Sequence, residues 1–375
     1  MSIRQHNLGS IVKPGFNPLG AQTNTIYYNL YGWGSGGSGA LGLGNTTSYS
    51  LPKLVSSLTD WSKLSSGSLF ALAVKTDGTL WSWGNNNYGQ LGHGNVTNYS
   101  SPKQIGALTD WLDVATGISH SAAIKTNGTL WTWGFNALGT LGLGNTTYYS
   151  SPKQVGALTT WAKIFCGRMH TIAIKTDLTM WLWGAGNYGR LGFNNSTNYS
   201  SPKQLGALTN WLTVAGGYAC TWAVKTDGTF WAWGRNNAGQ LGLGNTTYFS
   251  SPKQVGLLTD WLKLSGGYQF PLAIKTDGSL WSWGSNNRGE LGQGNTTYLS
   301  SPKQVGALTT WLSTACGIYS GVAVKTDGTL WTWGLNTSGQ LGQGNTTNLS
   351  SPKQVGSLAT WSTPFNGYST IFALG

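Results

Sequence analysis

Lys225-Thr226-Asp227-Gly228-Thr229-Phe230-Trp231-Ala232-Trp233-Gly234 contains an Asp-Gly turn dipeptide followed by alternating aromatic residues. Asp-Gly adopts the positive φ values of a tight type I′ turn, so the segment predicts a β-hairpin. Side chains two apart share one face of a strand, which puts Trp231 and Trp233 together. The pattern is not local. Trp-x-Trp-Gly recurs at 81–84, 131–134, 181–184, 231–234, 281–284 and 331–334, with Tyr31-Gly32-Trp33-Gly34 as a degenerate seventh copy. Ser-Pro-Lys-Gln recurs at 101, 151, 201, 251, 301 and 351, with Leu51-Pro52-Lys53-Leu54 as its variant. The period is 50 and no copy carries an insertion. Residues 26–375 therefore read as one repeat domain, and residues 1–25 as a leader or tether.

Each unit reads as four short strands. In the copy from 211 these are Trp211–Gly216 (A), Thr221–Lys225 (B), Thr229–Trp233 (C) and, past a Gly-rich loop and Pro252, Lys253–Val255 (D). Helical periodicity is absent. Four strands repeated seven times predict an all-β, seven-bladed β-propeller. The last copy ends after strands A (361–366) and B (368–374). Its C and D strands correspond to Leu30–Trp33 and Lys53–Val55, so the final blade is expected to be composite, built from both termini. Such closure leaves no half-formed blade with an unpaired inner strand at either end of the ring. Twenty of the 21 Trp have a fixed address at the start of strand A or in strand C; Trp222 alone does not. A set so regular predicts core packing rather than sugar stacking, with Ala73, Ala123, Ala173, Ala223, Ala273, Ala323 and Ala373 making room between blades.

The composition narrows the chemistry. Only 9% of the residues are charged, against roughly a quarter in an ordinary soluble domain. One Glu (Glu290) and nine Asp argue against acid/base catalysis. No apolar run reaches the length of a membrane span, so no membrane insertion is expected. The net charge of +12 directs attention to anionic partners. Cys166, Cys220 and Cys316 are odd in number and far apart, which predicts free thiols.

Gly117–Ala123 and Gly167–Ala173 (Gly-x-x-His-Ser/Thr-x-Ala), with the longer motif at Asp227–Gly242 and Asp327–Gly342, resemble the regulator of chromosome condensation repeat family. The resemblance covers residues 26–375 and implies a seven-bladed propeller with the same split-blade closure. The family's eukaryotic namesake is a guanine-nucleotide exchange factor acting through a wedge inserted in one blade. No blade here carries an insertion, so exchange activity is not carried over. The leader, Leu8 to Gly20, resembles the lead segments of propellers encoded by marine bacteriophages. This implies a virion component (capsid decoration, tail or host-recognition protein) whose attachment residues would be Lys13, Pro14, Phe16 and Pro18.

No catalytic, metal or cofactor site is expected. His120 and His170 share a repeat position with Phe70, Cys220, Phe270, Ser320 and Thr370, which predicts a structural role. Gly-Leu-Gly-Asn-Thr-Thr at 42–47, 142–147 and 242–247 has a counterpart in every unit and precedes a strand, not the helix that phosphate binding needs. The Asn-x-Thr/Ser triplets at Asn45 to Asn345 read as turns.

Variation among the copies locates the expected binding surface. The B–C and D–A connections are nearly constant, whereas the A–B loop and the start of the C–D loop vary. In an up-down-up-down blade those two loops share one face. The residues expected to bind there are Tyr88, Phe135, Arg168, Met169, Tyr188, Tyr218, Arg235, Tyr268, Gln269, Arg288, Tyr319 and Tyr368, since Tyr and Arg dominate contact surfaces. Expected partners are other virion proteins or a host-surface receptor, either a protein or an anionic glycan. The alternatives are a bacterial protein-interaction propeller and a DNA-associated one. Nucleic acid is disfavoured because the Lys residues repeat as rings rather than as a stripe. Those at 53 to 353 and 75 to 325 are expected to blunt outer edges and to maintain solubility.

Overall fold

In the computed structural model, which describes residues 29–56 and 58–375, every 50-residue unit forms a four-stranded antiparallel sheet. Blade 1 comprises Trp61–Ser66, Phe70–Lys75, Leu80–Gly84 and Tyr99–Gln104, strands A to D. Blades 2 to 6 follow at intervals of 50. Blade 7 is composite: Thr363–Asn366 and Thr370–Leu374 pair onward to Leu30–Gly34 and Tyr49–Leu54. The only helical elements among the described residues are two single 3-10 turns, Gly37–Gly39 and Asn187–Gly189. None is long and apolar enough to cross a membrane.

Two local expectations are corrected. The B–C hairpin is not type I′. Gly228 has φ +76° but Asp227 does not share a positive φ, and Gly228 N–H donates to Lys225 O at 3.0 Å. This is a type I turn followed by a left-handed glycine. Asp227 instead organises the strand that follows. Its Oδ1 accepts from Thr229 N–H (2.9 Å) and Thr229 Oγ1 (2.6 Å), and Thr229 Oγ1 accepts from Trp231 Nε1 (2.9 Å). Asn127 does the same in blade 2. Leu178 occupies the glycine position of blade 3 with φ +63°. The second correction lengthens strand D, which runs Phe249–Gln254 in blade 4 rather than Lys253–Val255. Pro252 is tolerated because D is the outermost strand and its register shifts there, so the missing N–H breaks no ladder bond.

The blades are joined by indoles. The second strand-C Trp of every blade is fully buried. Each donates Nε1–H to a C–D loop carbonyl of the preceding blade: Trp133 to Gln90 O at 2.9 Å, Trp233 to Arg190 O at 2.8 Å, and Trp33 to Gln340 O at 2.9 Å across the closure. The loop must pass close by. At Gly92 (φ +80°) a Cβ would lie 2.9 Å from Trp133 Nε1. The invariant Ala residues lie in these seams as expected: Ala123 packs with Leu72 and Val74 of blade 1 beneath Trp111 and Trp133.

The Lys residues ending strand B do not blunt an edge. Lys225 is buried, its ammonium 5.0 Å from the Trp211 ring centroid and 3.8 Å from that of Trp231. The same pair of contacts recurs at Lys75, Lys125, Lys175, Lys275 and Lys325. Alternation of the strand carries the Lys stem between two indoles, where a cation on a ring face contributes about 0.5–2 kcal/mol. Lys53 to Lys353 do lie exposed on the outer strands.

The histidines are structural, as their repeat position implied. His120 and His170 are fully buried. His120 Nε2 lies 3.0 Å from Thr171 Oγ1, whose proton goes to Thr140 O (2.8 Å). Thr171 therefore accepts from His120, which fixes the Nε2–H tautomer and leaves Nδ1 buried without a partner. Burial pushes the His120 pKa down to about 4, and burial with Arg190 nearby holds His170 well below the usual range. The unfolded chain binds these protons first, so stability is lost as pH falls below about 6.5 toward 4. Replacing both with Phe, already present at Phe70 and Phe270, should flatten this slope. Urea midpoints at pH 7 and pH 4.5 should show the natural protein losing about 2 kcal/mol or more relative to the double variant.

Candidate functional site

Strands A surround the central channel, and their ends open on the variable face. The cavity there has a volume of about 280 Å³ and is ringed by one glycine from each blade, Gly67 to Gly367. Ser66, Thr116, Cys166, Cys316, Phe365 and Asn366 are among its walls. The A–B and C–D loops do share this face: Arg235 N–H donates to Ala219 O, and Gln269 Nε2 lies 3.4 Å from Asn237 Oδ1. The B–C turns meet the D–A connections at the opposite face, as in Thr226 N–H to Asn210 O.

Around the rim, neighbouring A–B loops bond to each other through their backbones. Ile118 N–H donates to Arg168 O (3.1 Å), Arg168 N–H to Gly217 O (3.1 Å) and Tyr218 N–H to Tyr268 O (2.9 Å). These bonds hold the variable residues on a defined ring. Tyr218 and Tyr268 stack at 4.5 Å with 21° between planes, and Tyr319 continues the row at 5.6 Å from Tyr268. The Arg168 guanidinium sits 4.9 Å from the Tyr218 ring and 5.5 Å from Tyr268. Arg235 lies 5.7 Å from Tyr218 and 5.3 Å from Tyr188. Six expected site residues thus form one cluster over blades 3 to 6.

The others are placed differently. Tyr88 and Phe135 form a separate aromatic group with Tyr148, with centroids 5.0–5.7 Å apart. Tyr368 lines the cavity on blade 7. Arg288 donates its backbone N–H to Glu290 Oε2 (2.7 Å). Glu290 is buried, also accepts from Ser285 Oγ (2.9 Å), and has its carboxyl pKa raised by burial. Met169 is half-buried and contributes its carbonyl to Ala185 N–H. Lys13, Pro14, Phe16 and Pro18 lie outside the described residues.

Arg190, in the C–D loop of blade 3, joins this cluster although it is not among the expected site residues. It is buried, donating Nε–H to Asn187 O and Nη1–H to Tyr218 O, both at 3.0 Å, with its guanidinium 6.0 Å from the Tyr218 ring. The available signal was its repeat position: Ala40 and Thr140 aside, it is filled elsewhere by Gln90, Gln240, Glu290 and Gln340. Each of these carries a long polar side chain able to return to its own loop. Burial pushes the thiols of Cys166, Cys220 and Cys316 up to about 12, so they stay protonated and poorly nucleophilic. Among the described residues, no three His, Cys, Asp or Glu lie close enough to share a metal ion.

A closed ring of seven near-identical four-stranded blades carrying unlike loops around one channel mouth defines a seven-bladed β-propeller. The chain belongs to the RCC1-like domain family, whose model matches residues 29–370. It is similar in structure to human WBSCR16 (21% identity over 93% of this chain and 98% of that one, TM-score 0.83). It is equally similar to Prp20p of Saccharomyces cerevisiae (21%, 94% and 92%, TM-score 0.83), described with its binding properties to Gsp1p and histones. Yeast RCC1 (Prp20) bound by Kap60 gives 19% identity, 100% and 96% coverage and a TM-score of 0.82. No curated protein matches the chain.

Proposed function

We propose that the protein is a non-enzymatic binding propeller that engages a protein partner through the A–B/C–D loop face. The observation carrying this reading is the Arg-Tyr cluster at the channel mouth, assembled from the repeat positions that differ most between copies. Rigid aromatics backed by guanidinium groups are the composition of interface hot spots, and the rim bonds hold them in place before a partner arrives. The protonated thiols and neutral structural histidines favour binding over nucleophilic chemistry. The relatives' described interactions with proteins point the same way.

Replacing Arg168, Tyr218, Arg235, Tyr268 and Arg288 together with Ala is expected to abolish partner binding while moving the melting temperature by only a few degrees. A photo-crosslinking residue at 218, compared with one at 277 on the opposite face, checks it. Specific adducts from 277 alone would move the working face to the other side.

A virion role is the finer reading. It is supported by the leader's resemblance to marine phage propellers and by the uniformity of the repeats. In that setting the partners are other virion proteins or a host receptor, and residues 1–25 are the tether. Particles assembled with protein lacking residues 1–22 should carry far fewer copies; normal incorporation argues for a free bacterial interaction protein instead.

A further inference from the structure

We propose that Arg168 and Arg235, backed by Arg190, form an anion pocket that takes an Asp or Glu side chain from a partner loop inserted into the channel mouth. This rests on the binding-face reading and names the chemistry of its anchor.

Three guanidinium carbons lie within 4.9–6.0 Å of one ring, that of Tyr218. Like charges gathered at a partly buried site repel one another unless a counter-charge arrives. Among the described residues none is supplied. The salt bridges among the described residues, Lys125–Asp110 and Lys275–Asp260, lie at the opposite face. Glu290 is turned inward onto Ser285 and the Arg288 backbone. Two donors also lack partners inside the protein: Nε of Arg168 and Nε of Arg235 are buried without hydrogen bonds. Arg190 spends its own donors on Asn187 O and Tyr218 O, so it serves as a fixed positive support rather than a contact. A carboxylate satisfies both the charge and the geometry, because guanidinium and carboxylate form paired hydrogen bonds.

The cavity argues for a protein loop over a polyanion. Arg168, Tyr218 and Tyr268 line it, Arg235 lies outside it beyond the Tyr218 ring, and its volume of about 280 Å³ suits one or two side chains. The charge is a point over blades 3 and 4, not a track along which phosphates could repeat. On the far side of the ring, Asn366 donates Nδ2–H to Ser320 O and leaves Oδ1 buried without a partner. Tyr268, Tyr319 and Tyr368 complete the rim with apolar surface for the flanks of an inserted loop.

The test uses the full chain and a fluorescein-labelled hexaglutamate peptide, with hexaglutamine as control, read by anisotropy at 150 mM NaCl. Saturable binding at least tenfold tighter for hexaglutamate is expected. R168Q/R235Q should weaken it at least tenfold, and K103Q/K203Q/K303Q on the exposed outer strands by less than twofold. R235Q alone should lose at least threefold, which keeps the test standing if the double variant melts early. Non-saturable binding, or equal loss from the outer Lys set, overturns the pocket. Tighter binding of heparin or oligo-dT through the same two arginines overturns the choice of occupant. The two readings fail separately. Crosslinking through position 218 that is indifferent to R168Q/R235Q sinks the acidic anchor alone. Peptide binding with partner adducts only from 277 sinks the face and spares the pocket.

Discussion

Deleting residues 26–56 is expected to yield an aggregating protein without a cooperative melt. The deletion removes Leu30–Gly34 and Tyr49–Leu54, half of blade 7. Thr370–Leu374 loses the partner it pairs with over five residues, and an apolar strand with unpaired N–H and C=O groups invites edge-to-edge association. Both flanking seams open as well. Leu30 and Val55 pack with Trp61 and Trp83 of blade 1, while Trp33 packs with Val322 and Leu330 of blade 6. Light scattering and calorimetry check the outcome. A soluble deletion protein with unchanged melting would show that these two strands do not hold the ring closed.

Trp233→Ala is expected to cost about 3–5 kcal/mol, the range for emptying a buried aromatic site. Trp233 is fully buried among Ile172, Leu182, Leu191 and Leu205 of the preceding blade. Trp233→Phe should cost less than half as much. Arg190 O also accepts from Thr221 Oγ1 at 2.8 Å, so loss of the indole donor does not strand it. Trp231→Ala, at a half-buried position over Lys225, should likewise cost less than Trp233→Ala. Denaturant midpoints for the three variants give the order. Equal losses at 231 and 233 would mean that the seam between blades is no more demanding than the outer face.

The ring was legible because a 50-residue period in Trp, Gly and Pro admits few architectures, and the position of the split blade followed from where the period starts. Turn detail was not. Asp-Gly serves both the two-residue turn and the turn with a glycine bulge, and only the bond from Gly228 N–H to Lys225 O separates them. The Lys at the end of strand B looked like a solvated charge because a sequence does not show that one indole lies opposite it on strand A and a second lies diagonal to it on strand C. The binding face was legible as a set of variable positions. Its focus was not, because Arg168, Tyr218, Arg235 and Tyr268 come from three blades and meet only through the curvature of the ring. Arg190 was hidden for a related reason: its partner is the Tyr218 backbone on the next blade.

The composite blade has a consequence for synthesis. Leu30–Gly34 is made before the other strands, yet its neighbour Thr370–Leu374 follows only after blades 1 to 6. At 5–20 residues per second the early strand waits roughly 20–70 s for its mate. Blades 1 to 6 can stack in turn meanwhile, but the ring cannot lock. On a crowded polysome the waiting strand can instead receive the tail of a neighbouring nascent chain. The exchanged product keeps every native contact, so strand-swapped dimers are the characteristic misassembly of this architecture.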